Sequence, residues 1–332
     1  MKSSYSIDHF HHKYKASLLC LLLILIALFA TSSCNRSAAT DEKEQNRSIV
    51  YTMINVCDET RQADAHVLRF TNGSVFVIDT GRQEVNNNLA AFLKKNNIRA
   101  VDTLFISHFH KDHYGGIWEV IKAGIKIKTA YINMPDKEAC DREKPWGCDY
   151  DDIIKTLEYM KKQGITVKNI RTGDVFFPQN DAVLFVLAAF DGNNTPVGKT
   201  DINDTSMIMK LVYGNESVLF PGDLNVSLGN YFVKHHFNVQ ADILKVPHHG
   251  TEGVASNDFF DSVSPKLALV PTPKALWLSD RSKRIRDYFS SKNIPVLVSG
   301  IKGDVTINLY KDKYDIVEFR GEGTGGQGLR NH

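Results

Sequence analysis

Residues 108–113 read His-Phe-His-Lys-Asp-His and place three imidazoles and one carboxylate within six positions. They directly follow a largely apolar run at 101–107 and precede the pair Gly115 and Gly116. Neutral imidazoles and carboxylates are the ligands that hold divalent cations such as zinc. A predicted buried strand that ends in this cluster therefore indicates a metal-binding turn rather than a loop with surface histidines.

Four further polar clusters lie where other predicted strands end or begin. Catalytic groups belong at the ends of rigid strands, where loops gather and the scaffold fixes their geometry. Together with the His-rich turn, these clusters predict a single site. They are Asp79-Thr80-Gly81, Asn203-Asp204-Thr205-Ser206, Gly222-Asp223 and His248-His249-Gly250.

The N-terminal 33 residues have the pattern of an export signal. Lys13 and Lys15 precede an apolar run at 16–30, and small residues then lead to Cys34. The run is shorter than the roughly 20 residues that a membrane span requires. The pattern resembles a bacterial lipobox and predicts a signal peptide at 1–33 with a lipid on Cys34. We expect an exported, membrane-anchored protein of the cell envelope, facing the periplasm or the exterior, with an uncleaved N-terminal anchor as the alternative.

The rest of the chain is predicted to form one domain between two flexible segments. Polar residues 34–48 are typical of a tether, and the Gly-rich residues 321–332 are typical of a disordered tail. Residues 49–320 contain two strand-rich halves with helices in each. This pattern favours an α+β fold in which two sheets pack together with helices outside.

Charge and cysteine usage limit the possible partners. Residues 1–33 hold three of the 40 basic and one of the 38 acidic residues, so the remainder has 37 of each. A dedicated nucleic-acid binder usually has a strong basic excess, so the net charge gives no support to nucleic acid as a partner. Cys140 and Cys148 lack the spacing of a CxxC metal motif, and export permits a disulfide between them. Cys57 is predicted to be a buried apolar residue.

These motifs resemble the metallo-β-lactamase superfamily over about residues 50–310. The HxHxDH signature of that superfamily matches His108, His110, Asp112 and His113. Within the superfamily, the sequence is similar to the C-terminal hydrolase domain of ComEC-type competence channels, and here we expect that domain to stand alone. The segments that carry this similarity are 78–81, the pair Asn203 and Ser206, 220–223 and 244–251.

The resemblance implies a four-layer αββα sandwich with two metal ions at one edge. It implies that His108 and His110 hold the first metal, that Asp112 and His113 hold the second, and that Asp223 bridges both. His249 precedes a Gly as the last ligand does in many relatives, which leaves His248 to contact substrate or donate a proton, although the two could exchange roles. Asp112 and His248 are the catalytic candidates, and Asp79 and Asn203 are expected to support the ligands from behind. Zinc is the expected metal, and manganese is the alternative.

Two departures from the family pattern concern the first metal and the substrate. Many members place a further His ligand at the cluster equivalent to 203–206. This chain has Asn203 and Asp204 there, so the first metal is expected to be held less tightly. ComEC-type domains often carry a His-Pro pair in the loop at 273–281, and this chain lacks it. Trp277 and Arg281 of that loop are either substrate contacts or ordinary core and surface residues.

The expected activity is hydrolysis of a phosphodiester, in nucleic acid or in a phosphorylated envelope component, by a metal-bound hydroxide. Ligation rich in Asp and free of Cys suits such hard oxyanion chemistry. Hydrolysis of esters, lactones or lactams on the same fold is the first alternative. The second is a metal-stabilised lipoprotein without enzymatic activity that binds DNA or a partner.

Overall fold

Successive residues of a strand point to opposite faces, so a sheet can bury apolar side chains on both of its faces and pack between other layers.

The computed structural model describes residues 47–83, 88–145 and 147–317. The predicted leader, Cys34, all of the tether before residue 47 and the 321–332 tail lie outside the described residues. From Ser48 onward the chain forms one compact unit.

Fifteen strands make up two sheets in the described part of the chain. They are β1 Ile49–Met53, β2 His66–Arg69, β3 Val75–Ile78, β4 Ala100–Ile106, β5 Lys126–Ile132, β6 Thr166–Asn169, β7 Val175–Gln179, β8 Ala182–Ala188, β9 Ile208–Tyr213, β10 Glu216–Phe220, β11 Ile243–Lys245, β12 Leu267–Val270, β13 Val296–Val298, β14 Val305–Leu309 and β15 Tyr314–Val317. The first sheet has the order β15-β14-β1-β2-β3-β4-β5-β6, and the second has the order β13-β12-β11-β10-β9-β8-β7.

The described helices are short and lie outside the sheets. The α-helices are α1 Asn88–Lys95, α2 Lys111–Tyr114, α3 Ile117–Lys122, α4 Lys137–Arg142, α5 Tyr150–Lys162, α6 Val226–Lys234, α7 Asn257–Val263, α8 Lys274–Leu278, α9 Lys283–Ser291 and α10 Ser299–Lys302. Three 3₁₀ turns cover Ile202–Thr205, Pro247–Gly250 and Asp280–Ser282. Among the described helices, none is both long and apolar enough to cross a membrane.

Three apolar clusters separate four layers. One lies between the two sheets and joins Phe105 of β4 to Phe220 of β10. The second packs α1 and α5 on the outer face of the first sheet, and the third packs α6, α7 and α9 on the second sheet. Each large apolar side chain buried in this way contributes about 1.5–3 kcal/mol. The predicted αββα sandwich is therefore confirmed.

Strand direction brings the polar clusters to one edge. β3, β4 and β5 are mutually parallel, and so are β10, β11 and β12. Since the carboxyl ends of parallel strands lie at the same edge, the residues after β3, β4, β10 and β11 meet there. β9 runs antiparallel to β10, so the residues that precede β9 lie at that edge as well.

The residues that follow β4 form two helices, α2 and α3, with a break at Gly115 and Gly116. A side chain on Gly115 would place its Cβ 2.5 Å from the Lys111 carbonyl oxygen. The Gly116 N–H donates to the Gly81 carbonyl oxygen at 2.8 Å. The break thus ties the His-rich turn to the loop that follows β3.

Candidate metal centre

The His-rich turn after β4 is anchored by the carboxylate of Asp79. Oδ1 of Asp79 accepts from the Ser107 N–H at 2.7 Å, and Oδ2 lies 2.8 Å from His113 Nδ1. His108 Nδ1 lies 3.1 Å from Ser107 Oγ and 3.2 Å from Ser206 Oγ. Asp79 itself has φ +59°, a left-handed conformation that is uncommon for a residue with a side chain. Asp79 thus contacts the His-rich turn through both of its carboxylate oxygens.

His110 lies between His108 and Glu143. Its Nδ1 lies 3.2 Å from His108 Nε2, and its Nε2 lies 2.9 Å from Glu143 Oε2. Glu143 follows α4, whose Cys140 forms a disulfide with Cys148. One nitrogen of His110 therefore faces the other imidazoles, and a carboxylate holds the other nitrogen.

Asp223 lies after β10 of the second sheet and follows Gly222, whose backbone lies close to Ser206. Gly222 has φ +53°, and a Cβ there would lie 2.4 Å from the Ser206 side chain. The Asp223 N–H donates to Ser206 Oγ at 2.9 Å. Oδ2 of Asp223 lies 3.3 Å from His113 Nε2 and 3.2 Å from His249 Nε2. A single oxygen of Asp223 thus faces donors from both sheets.

Two adjacent histidines after β11 turn in different directions. His248 and His249 have φ +49° and +54°, so both residues adopt the left-handed conformation. His249 is fully buried, and its Nδ1 lies 2.9 Å from the Pro271 carbonyl oxygen. His248 is only partly buried, and its Nδ1 has no hydrogen-bond partner among the described residues. The structure therefore brings His249, rather than His248, into the cluster.

The described side chains form three overlapping donor groups that could each hold a metal ion. His113 belongs to all three groups, so the structure does not separate the donors as the family resemblance implies. His110 adjoins the first group through His108. The three groups are His108, His113 and Asp223; Asp112, His113 and His249; and Asp64, Asp79 and His113.

The donor chemistry fits divalent cations. Each of the four imidazoles directs one nitrogen into the cluster and has its other nitrogen beside an oxygen atom, an arrangement typical of metal-binding histidines. His249 Nε2 is buried without a hydrogen bond of good geometry, although carboxylate oxygens of Asp223 and Asp112 lie 3.2 and 3.5 Å away. A cation between these atoms would satisfy them all.

Burial and charge oppose each other in this cluster. Burial acts to lower the pKa of His113, but the carboxylates of Asp223 and Asp79 outweigh it and hold the pKa well above its usual value. The same balance, dominated among the charges by Asp223, raises the pKa of His249 to about 9. Protons on these two imidazoles would compete with a cation, so metal binding would release protons. Burial lowers the pKa of His248 to about 4.

The remaining predicted residues lie around the centre. Asn203 is buried, and its Oδ1 has no hydrogen-bond partner in the described chain. Burial raises the pKa of the neighbouring Asp204 to about 7. Trp277 is a core residue, since it is 7% exposed and lies close beneath Gly250. Arg281 is exposed and pairs with Glu252 at 3.4 Å. The residues of this loop therefore have ordinary core and surface surroundings.

Sequence reasoning missed three charged residues at the site. Lys245 is fully buried at the end of β11, with its Nζ 2.5 Å from Asp64 Oδ2 and 3.2 Å from Asp223 Oδ1. Asp64 is equally buried and also lies 2.7 Å from His66 Nε2. A lysine inside an otherwise apolar strand was a signal, because a buried ammonium requires a partner. Asp64 and Glu143 had no such signal.

A family model and two curated proteins match the sequence of this chain. The model of the metallo-beta-lactamase superfamily matches residues 58–272. The ComE operon protein 3 of Bacillus subtilis is 25% identical over 231 residues, and competence protein ComA of Neisseria gonorrhoeae is 24% identical over 256 residues. These alignments cover 68% and 75% of this chain but only 26% and 30% of the two relatives.

Among solved structures, Zn²⁺-bound PqqB from Methylobacterium extorquens superposes with a TM-score of 0.48 at 9% identity, covering 78% of this chain and all of that one. A long form of RNase Z from yeast superposes with a TM-score of 0.46 at 12% identity, covering 83% of this chain and 51% of that one. The family model spans well over half of the sequence and includes the described donor residues. The chain therefore belongs to the metallo-β-lactamase superfamily of metal-dependent hydrolases.

Proposed function

We propose that this protein is an exported, lipid-anchored hydrolase that uses two divalent cations to cleave phosphodiester bonds. The observation that carries the proposal is the set of imidazole and carboxylate atoms from both sheets, with Asp223 Oδ2 in contact with His113 and His249. This set contains oxygen and nitrogen donors and no thiolate. Such donors suit cations that bind phosphate oxygens.

The chain's own residues would position the reacting groups. His108, His110 and Asp223 would hold one cation, and Asp112, His113 and His249 would hold the other, with Asp223 shared between them. Two bound cations would lower the pKa of a water molecule toward 7 and neutralise charge that develops on the phosphate oxygens. Manganese and zinc both suit this donor set, and zinc is the first choice.

The partly exposed His248 lies beside the donor groups, where a substrate could reach it. Its Nδ1 is buried without a hydrogen bond within the described chain, so the exposed part of the imidazole would be the part that contacts a phosphate oxygen or the leaving group. Arg82 lies on another side of the centre, with Nη2 3.4 Å from Asp112 Oδ2. Its guanidinium would limit how far the Asp112 carboxylate can turn.

The test is hydrolysis of bis-p-nitrophenyl phosphate by the purified full chain with zinc or manganese. We expect about two metal ions per chain by elemental analysis. His110→Ala and Asp223→Ala should lose more than the roughly 10- to 100-fold that removal of a merely orienting residue costs. His235→Ala and Asp258→Ala change exposed residues of the same types and should retain full activity.

Three outcomes would contradict the proposal. Full activity in both ligand variants would refute the site assignment. Hydrolysis of nitrocefin or of a lactone panel without phosphodiesterase activity would refute the substrate class. Two metal ions without turnover of any of these substrates would favour a non-enzymatic binding protein.

The lipid anchor requires its own experiment. Cys34→Ser removes the thioether-forming side chain that the leader sequence predicts. In a bacterial host, the wild-type chain should sediment with the membrane fraction and incorporate labelled palmitate, and the variant should do neither. Equal labelling of both chains would exclude Cys34 as the lipidated residue.

A further inference from the structure

Glu143 joins two of the clusters that form the candidate centre. Its Oε2 lies 2.9 Å from His110 Nε2, and its Oε1 accepts from the Ile202 N–H at 2.9 Å. Ile202 begins the 3₁₀ turn that contains Asn203. The Glu143 side chain is only 17% exposed, and that of His110 is 13% exposed. One carboxylate therefore connects the His-rich turn after β4 to the turn that precedes β9.

The two contacts require a group with two acceptor oxygens. The Ile202 N–H is a donor, and His110 must carry its proton on Nε2 if Nδ1, which lies 3.2 Å from His108 Nε2, is to offer a lone pair to a cation. A carboxylate can accept from both, and it increases the basicity of the imidazole that it holds. Glutamine has a single acceptor oxygen and would place an NH₂ group against one of the two donors.

The Cys140–Cys148 disulfide closes the segment that carries Glu143, and we call residues 140–148 the disulfide loop. Both cysteines are fully buried. The Glu143 N–H donates to the Cys140 carbonyl oxygen at 2.9 Å, and the Glu143 carbonyl accepts from the Gly147 N–H at 3.1 Å. The Gly147 carbonyl in turn accepts from the Lys111 N–H at 3.2 Å. The disulfide loop is thus attached to the His-rich turn by a backbone hydrogen bond as well as by the Glu143 side chain.

We propose that Glu143 is a positioning residue that fixes His110 for metal binding, and that the Cys140–Cys148 disulfide keeps Glu143 in place. The inference rests on the proposed two-metal function and deepens it. The cation beside His108 and His110 depends most on this support. The reason is that the cluster at 203–206 has Asn203 where many relatives supply another imidazole. Tight binding of that cation then requires the oxidised cysteine pair.

The first experiment measures metal affinity in the full chain. Zinc bound per chain is determined by elemental analysis at free zinc concentrations set by a chelator buffer. Glu143→Gln should bind one of the two ions about 10- to 100-fold more weakly and leave the other unchanged. Glu138→Gln is the matched control, since Glu138 lies on α4, the helix that directly precedes Glu143, with a side chain that is 81% exposed. Equal zinc binding curves for Glu143→Gln and the wild-type chain would overturn the inference.

The second experiment is a double-mutant cycle on the disulfide. Cys140→Ser with Cys148→Ser should weaken the same ion in the wild-type background and add little in the Glu143→Gln background, because the disulfide acts through Glu143. Equal weakening in both backgrounds would refute that route. Circular dichroism establishes that each variant is folded. If the double serine variant does not fold, the comparison of Glu143→Gln with Glu138→Gln decides the matter.

Failure of this inference can be told apart from failure of the proposed function. Phosphodiesterase activity in the wild-type chain with unaltered zinc binding in Glu143→Gln refutes the role of Glu143 alone. Weakened zinc binding in Glu143→Gln without wild-type activity on any phosphodiester refutes the function alone. A wild-type chain that binds no zinc, manganese or cobalt refutes both.

Discussion

Replacing Lys245 with methionine should destabilise the fold more than any surface substitution. The ammonium lies 2.5 Å from Asp64 Oδ2 and 3.2 Å from Asp223 Oδ1, and all three side chains are at most 3% exposed. At an effective dielectric constant of about 20, these distances correspond to roughly 7 and 5 kcal/mol of gross attraction. Desolvation offsets much of this, and removing one partner of a buried ion pair typically costs about 3–5 kcal/mol. We expect a loss of that size for Lys245→Met, out of a total stability of about 5–15 kcal/mol.

The loss should depend on pH in a defined direction. Burial acts to raise the pKa of Asp64, but the ammonium of Lys245 and the contacts with His66 and His113 together outweigh it and hold the pKa below its usual range. Such a carboxylate stabilises the wild-type fold above its unfolded pKa of about 3.9, and this contribution is lost as the pH falls. In the variant, the ammonium no longer opposes the effect of burial, so the pKa of Asp64 rises. The free energy of unfolding of the variant then decreases as the pH increases, because the buried Asp64 must ionise without its partner. The difference between the two proteins should be largest near pH 8 and smallest near pH 4.

Equilibrium urea unfolding in the presence of EDTA measures this difference without a contribution from bound metal. Lys266→Met is the control, because that lysine is largely exposed and pairs with Asp242 at the surface; it should cost less than about 1 kcal/mol. Adding Asp64→Asn to Lys245→Met should recover part of the loss, since it removes the unpaired buried charge. A loss below about 1 kcal/mol for Lys245→Met, constant from pH 4 to pH 8, would refute the reasoning.

Three further predictions concern the surroundings of the centre. Gly222→Ala should lower the stability by roughly 1–3 kcal/mol in urea unfolding, because the new Cβ would overlap Ser206; an unchanged midpoint would contradict this. Asp204→Asn should be more stable than wild type at pH 8 and lose that advantage as the pH falls toward 4. The reason is that burial raises the pKa of Asp204 to about 7, so the wild-type fold loses stability as the pH rises from about 4 to 7, and parallel pH profiles would contradict it. Replacing both Cys140 and Cys148 with serine should cost about 2–3 kcal/mol in thermal or urea unfolding, and equal stability would show that the closed loop adds nothing.

The layered fold and the position of the centre could be predicted because strand patterns are local. Apolar runs that stop at polar clusters mark strand ends, and parallel strands bring those ends to one edge, which is why His108 and Asp223 could be assigned to one site. Gly115 and Gly116 could have predicted a break between two helices, but the contact with Gly81 that fixes it is between residues distant in the chain.

The charged residues beneath the centre could not be predicted in the same way. Asp64 lies in a loop without a periodic pattern, and its partner Lys245 is 181 positions further along the chain. Glu143 is one acidic residue among several in a polar segment, and only the three-dimensional structure places it beside His110. Pairing between distant residues depends on the assembled fold, and no local property of the sequence encodes it.

The position of the donors at the junction of the two sheets makes cation binding a cross-link across the sandwich. Asp79 and the His-rich turn belong to one sheet, whereas Asp223 and His249 belong to the other. Any cation bound by both sets is lost when the sheets separate, so its binding free energy adds to the resistance against unfolding. A free cation concentration of 100 times the dissociation constant would contribute about 2.7 kcal/mol per ion. The lifetime of the protein against proteases would then depend on the supply of divalent metal in its surroundings, with depletion exposing the chain to degradation.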